Sequence, residues 1–155
     1  MVRLRPCPQP IPAEVWQLKV ASSQQDFVLP IHTIIAQQQP TEHFQLIYHQ
    51  QQLVGFFLLD SGYNQQHDFA KHSDLGLRCF FIDLLAQGQG IASAALRQLP
   101  AYVAQQFPDA QRLVLTVNCR NLVAHQLYLT AGFQDSGYLY HGGPSGAQYV
   151  MWYEL

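Results

Sequence analysis

Apolar residues fall in short blocks along the chain, and the spacing within each block points to an element. Residues 2–5 fit a short edge strand, stopped by Pro6 and Pro8. Pro12 suits a helix start, with Val15, Trp16, Leu18 and Lys19 following at mixed helical spacing. Ile31, Ile34 and Ile35 share one face of a helix over 30–39. Residues 44–49 and 53–60 read as antiparallel strands joined at Gln50-Gln51-Gln52. The polar stretch 61–74, with Gly62 and Asn64, reads as a loop. A strand follows over 77–83, then a helix over 91–107 with Ile91, Ala95, Leu99 and Val103 in one stripe. Pro100 should kink that helix, and Pro108-Asp109 ends it. Next come a strand over 112–118 and a helix over 122–130 with Gly132 at its C′ position. Two last strands, 133–140 and 148–155, flank a Gly-Gly-Pro-Ser-Gly loop at 142–146.

The order β-α-α-β-β-β-α-β-α-β-β describes an α/β domain with a mixed sheet and helices on both faces. A helix joins the strands at 77–83 and 112–118, so these two run parallel. No repeat and no linker divides the chain, and 1–155 reads as a single domain large enough for a real core.

Composition removes several classes of function. Hydrophobic residues make up 48%, which argues against disorder. Charged residues are only 12%, about half the usual share, and short glutamine runs take their place on the surface. A formal charge of −2 offers no basic surface for nucleic acid. Cys7, Cys79 and Cys119 stand far apart with no zinc spacing, and free thiols in strands suit a reducing, cytoplasmic setting. His67 and His72 lie near Asp68 and Asp74, but they form no closed ligand set, so no metal is expected. Met1-Val-Arg-Leu-Arg5 runs into prolines rather than an apolar core, so no signal peptide is expected. The longest apolar run, 53–59, is too short to span a bilayer.

The chemistry points to Gln87-Gly88-Gln89-Gly90-Ile91-Ala92. These residues connect the apolar run 77–82 to the helix at 91. The first N–H groups of a helix have no internal partner, and the helix dipole adds positive charge there. Glycines let the backbone come close to a phosphate. A dinucleotide-binding domain would place such a corner after its first strand, with an acid about twenty positions on. Here three strands precede it, and Asp109 falls on a turn.

A second stretch carries Asn121, then Leu127-Tyr128, then Gly132-Phe133. Together with Gln87, Gly90 and Ala92 it resembles the GNAT family of N-acetyltransferases, most clearly over residues 44 to 155. The resemblance implies the GNAT fold, a mostly antiparallel sheet of about seven strands splayed between strands 4 and 5. It implies acetyl-CoA as cosubstrate, with no metal. The pantetheine arm would pair with Phe80, Phe81 and Ile82, at a divergence between Ile82 and Val117. The pyrophosphate would rest on Gln87, Gly88, Gln89, Gly90, Ile91 and Ala92, with the Ser93 hydroxyl nearby and Asn121 on the arm. Tyr128 matches the usual general acid, since a phenol within reach of the sulfur can protonate a thiolate. Asp83 is read as a turn cap.

The resemblance leaves the base and the acceptor open. Relatives that acetylate protein N-termini carry a glutamate where Thr116 stands. Asp74, His72, Glu42 and His141 are candidates for a water-linked proton route, each otherwise a surface residue. Residues 16–20 and 24–28 are similar to the diamine and polyamine branch, whose acceptors need carboxylates such as Glu14, Asp26, Glu42, Asp60 or Asp74. Other small amines, amino-acid derivatives and protein N-termini stay open as acceptors. A non-catalytic acyl-CoA sensor of the same fold is the competing class, and retention of Tyr128 argues against it. Many relatives form dimers through the late strands, so 138–140 and 149–153 are either a homodimer contact or core.

Overall fold

The computed structural model describes residues 1–155. Strand β1 (Val2–Pro6) pairs with β2 (Glu42–His49), which turns back into β3 (Gln52–Asp60). The turn is tight because Gln50 and Gln51 both hold left-handed backbone, φ 52° and 68°, whose twist matches the flanking strands. β3 pairs antiparallel with β4 (Asp74–Ile82), and β4 runs parallel to β5 (Arg112–Asn118). The last strand, β7 (Gln148–Glu154), inserts between β5 and β6 (Gln134–Tyr140), giving the order β1-β2-β3-β4-β5-β7-β6.

Both faces of the sheet are covered. On one, α3 (Ile91–Gln106) and α4 (Leu122–Thr130) bury Leu96, Leu99, Val103 and Tyr128 against Phe57, Leu59, Leu113 and Met151. On the other, a 3-10 turn (Ala13–Gln17) and α1 (Ile31–Ala36) set Val15, Leu18, Ile31 and Ile34 over Phe44, Leu46, Phe56 and Leu58. No helix is long and apolar enough to cross a membrane.

Three elements differ from their sequence reading, each for a visible reason. The helix expected after Pro12 shrinks to the 3-10 turn. Leu18 is extended, and Lys19 is tied to the end of β4: its N–H donates to Asp83 (2.7 Å), and its carbonyl accepts from Leu84 (2.9 Å). The second helix stops at Ala36 because Gln38 and Gln39 turn to Glu42, whose Oε1 accepts the Gln39 N–H at 2.9 Å. The polar stretch 61–74 holds a single helical turn, α2 (Tyr63–Gln66), and β4 starts at Asp74. The long helix α3 keeps Pro100 inside a single run of 16 residues. Proline removes one backbone bond. The buried side chains of Leu96, Leu99 and Val103 hold the helix on both sides of it.

The parallel pairing of β4 with β5 covers only Asp74–Gly76 against Arg112–Val114. The strands therefore separate earlier than expected, directly after Gly76 and Val114, and the cleft runs from there to the glycine corner. Asp74, read from sequence as a surface residue, is buried at this closed end. Its carboxylate takes both Nε (2.9 Å) and Nη2 (2.6 Å) of Arg112, whose guanidinium lies 4.5 Å over the Trp152 ring.

The ring of Tyr63 lies flat against Gly76, where a Cβ would come within 2.3 Å of the Tyr63 Cδ1. Tyr63 is itself buried and cannot retreat. Gly76→Ala is expected to cost about 2–3 kcal/mol through overpacking. Thermal unfolding should register this as a fall of roughly 4–12 °C in Tm. An unchanged Tm would show that the ring can give way.

At the opposite margin, Tyr138 and Leu139 are exposed on the edge strand β6. Its register against β7 breaks between Asp135 and Leu139, around Gly137 at φ 81°. The segment 149–153 is the interior strand β7, with Val150 and Met151 buried and Tyr149, Trp152 and Tyr153 half-buried, so of the two late segments only 138–140 lies at the sheet edge.

Candidate active site

The parting of β4 from β5 opens a cleft of about 580 Å³. Its walls are Leu77 to Ile82 on β4 and Thr116 to Asn118 on β5, with α4 between them supplying Ala124, Leu127 and Tyr128. One end is the glycine corner, 86–93.

β4 is irregular where it faces the cleft. Leu58 of β3 pairs with Arg78 and Phe56 with Phe81, so Phe57 alone faces the two residues Cys79 and Phe80. Cys79 takes the extra place with left-handed backbone, φ 56°. A bulge leaves the extra residue outside the ladder and re-aims neighbouring side chains. Here it brings both Arg78 and Cys79 to the lining. Burial pushes the Cys79 thiol up to about 11.

The corner is built to leave donors exposed. Gly88 and Gly90 hold φ 77° and 74°, conformations costly for other residues. Gly90 is the N-cap of α3, has no side-chain cap, and no acid follows in the first turn. The first backbone bond into the helix runs from the Ala94 N–H to the Gly90 carbonyl, 3.1 Å, so Ile91, Ala92 and Ser93 keep their N–H groups for another acceptor. A short 3-10 turn, Leu84–Ala86, leads in, capped by Asp83, which accepts the Leu85 N–H at 3.2 Å as the sequence suggested. The Gln87 side chain folds back to donate to the Ile82 carbonyl at 3.2 Å and fixes strand end to corner.

At the middle of the cleft, Tyr128 is buried from its ring edge, T-shaped to Phe133 (5.5 Å) and Phe80 (6.4 Å). Its hydroxyl makes no hydrogen bond to protein, and burial raises the phenol above its usual range. Asn121 caps α4, accepting the Ala124 N–H at 3.2 Å, and also lines the cleft.

A strap crosses the mouth. Residues 24–29 run from the β4 side towards the loop before β7, where the Ser145 hydroxyl donates to the Asp26 carbonyl at 3.0 Å. The Ser145 carbonyl accepts from Asn118 (2.7 Å) and Arg120 (3.0 Å), and the Arg120 guanidinium lies 5.6 Å from the Phe27 ring.

Eleven of the twelve residues singled out from sequence therefore border one cleft: Phe80, Phe81, Ile82, Gln87, Gly88, Gly90, Ile91, Ala92, Ser93, Asn121 and Tyr128. Gln89 is exposed and does not line it. Of the acids weighed for the acceptor, only Asp26 lines the cleft. Glu42 and Asp60, like Asp74, are buried rather than on the surface, and both pair with Arg78. Glu14, His72 and His141 are exposed and away from the lining. His67 is packed among the rings of Tyr63 (4.4 Å), Phe69 (4.9 Å) and Tyr140 (4.9 Å).

The family model described as the acetyltransferase (GNAT) family matches residues 4–133. YbbJ, an uncharacterized N-acetyltransferase of Bacillus subtilis, is 33% identical over 102 residues, which is 63% of this chain. The match spans 61% of the length of that relative. Among solved structures, aminoglycoside acetyltransferase AAC(6')-Ib with coenzyme A and kanamycin superposes with a TM-score of 0.78, covering 99% of this chain and 95% of that one at 15% identity. Spermidine N-acetyltransferase from Vibrio cholerae, in complex with CoA and spermine, gives a TM-score of 0.70 over 99% and 95% at 18% identity. These two likenesses are likenesses of fold.

Proposed function

The chain belongs to the GNAT acetyltransferase family, and from that premise we propose that it transfers the acetyl group of acetyl-CoA to a primary amine of a small molecule. One observation carries the reading. A single cleft holds an open helix start at one end and, farther in, a phenol with no protein partner.

Acetyl-CoA would supply an activated acyl carbon and a thiolate leaving group. The chain's own residues would do the rest. The N–H groups of Ile91, Ala92 and Ser93, aided by the dipole of α3, hold the diphosphate. Phe80, Phe81 and Ile82 offer main-chain pairing to the arm along the open edge of β4, with Asn121 on the opposite wall. Tyr128 donates its proton to the departing sulfur. Attack comes directly from the amine, because Cys79, protonated and with its thiol pushed up to about 11, is a poor relay nucleophile. Thr116 lines the cleft and cannot accept a proton, so the amine attacks already neutral; the proton it sheds on becoming the amide leaves to solvent through the mouth beside Asp26, and the phenolate left on Tyr128 regains a proton from solvent.

An acceptor panel that follows release of the free CoA thiol tests this. Diamines, spermidine, amino acids, aminoglycosides and N-terminal peptides should separate, with at least one small amine turned over well above background hydrolysis. Binding of acetyl-CoA without thiol release from any of them would mark a sensor of the same fold and end the catalytic reading.

A further inference from the structure

Two arginines in this chain are held by buried carboxylates, and they are held differently. Arg112 gives Nε and Nη2 to one carboxylate, Asp74, so its two-donor edge is filled. Arg78 uses Nη1 alone, shared between Glu42 and Asp60 (3.2 Å to Asp60). Both carboxylates are fixed from behind. Glu42 accepts the Gln39 N–H (2.9 Å) and Asp60 the Gly62 N–H (2.8 Å). The guanidinium is thus pinned at one corner, and its Nε and Nη2 donate to no protein group. That is the edge which grips a carboxylate through two parallel hydrogen bonds.

The location suits a ligand. Arg78 is the one basic side chain lining the main cleft, and it stays 34% exposed. A second cavity of about 410 Å³ shares Leu29, Arg78 and Cys79 with that cleft. It is lined further by Gln37, Gln39 and Gln66. Arg78, its neighbour Cys79 and Tyr128 all line the same cleft, so Arg78 shares the chamber of the proposed proton donor. Two carboxylates against one guanidinium leave a negative balance that suits an amine, while the unused edge suits an acid.

The geometry points to Arg78 as the residue that holds the acceptor's carboxylate, so the acceptor is an amino acid or a similar amine bearing a carboxylate, not a diamine or polyamine. The assignment rests on the acetyltransferase reading above.

Matched acceptors test it: lysine against 1,5-diaminopentane, and phenylalanine against phenethylamine. In the unmodified protein, kcat/KM for the carboxylated member should exceed that of its partner at least about tenfold, since a site built to pair a charged group discriminates against an analogue lacking it. Arg78→Lys keeps a cation for Glu42 and Asp60 but loses the fork, and the ratio should fall below about threefold. Should that variant fold poorly, Arg78→Met combined with Glu42→Gln and Asp60→Asn removes all three charges together and should bring the ratio to about one. Calorimetry on the CoA-loaded protein reads the same contrast in binding alone. Diamines or spermidine outrunning the amino acids, or a preference that survives both variants, would overturn the assignment. If no amine releases thiol, the transferase reading falls, and the calorimetric ratio alone then sustains or overturns the role of Arg78.

Discussion

Replacing Gly90 by glutamate is expected to leave a folded protein that no longer binds coenzyme A. Two effects of the substitution must be separated. A side chain at φ 74° is strained by about 1 kcal/mol, but an added Cβ meets nothing within 4 Å. A carboxylate at the start of α3 also satisfies N–H groups that no side chain now caps, which offsets the strain. The fold should survive. Binding should not, because the new carboxylate occupies the anion bed and repels a diphosphate. A pair of like charges about 4 Å apart near a protein surface costs about 4 kcal/mol, roughly a thousandfold in affinity. Gly90→Ala carries the strain without the charge and should stay within about tenfold of the parent. Calorimetry with coenzyme A measures both. Parental affinity in the glutamate variant would mean that the diphosphate lies elsewhere.

Tyr128→Phe should lower kcat at least tenfold while leaving coenzyme A affinity close to that of the parent. The ring keeps its contacts with Phe80 and Phe133, so packing is retained and only the proton donor is lost. The pH profile adds a second reading. Burial raises the phenol, so Tyr128 remains protonated well into the alkaline range. The acceptor, with a free pKa near 10, is neutral in only about one part in a thousand at pH 7. Activity in kcat/KM should therefore climb about tenfold per pH unit from 7 to 9, with no alkaline fall from the acid. The phenylalanine variant should show the same slope at a lower level. Unchanged turnover would remove Tyr128 from the reaction.

The strands that make the leaves of the sheet were legible because most carry apolar runs broken by few charges and their turns carry glutamine, glycine or proline. The glycine corner and Tyr128 were legible because backbone chemistry and the order of a few residues locate them. What escaped was set by contacts between distant positions. The start of β4 is hidden because Asp74 and Gly76 look like loop residues, yet Arg112 and the Tyr63 ring complete them. The helix after Pro12 fails because Lys19 answers to Asp83, 64 residues away. The bulge at Cys79 has no local sign, since neither glycine nor asparagine marks it. Arg78 did leave a trace: it is the one charge inside the run 77–82, and a cation in a buried strand requires partners. Glu42 and Asp60, which supply them, stand at the ends of two other strands.

The brevity of the contact between β4 and β5 leaves a continuous sheet with an open slot in its middle. Within the sheet, three paired residues and one arginine clasp join a four-stranded leaf to a three-stranded one, while the apolar core beneath α3 and α4 runs across both. The Asp74–Arg112 pair closes one end of that opening, and the bond from Ser145 to the 24–29 segment spans the other.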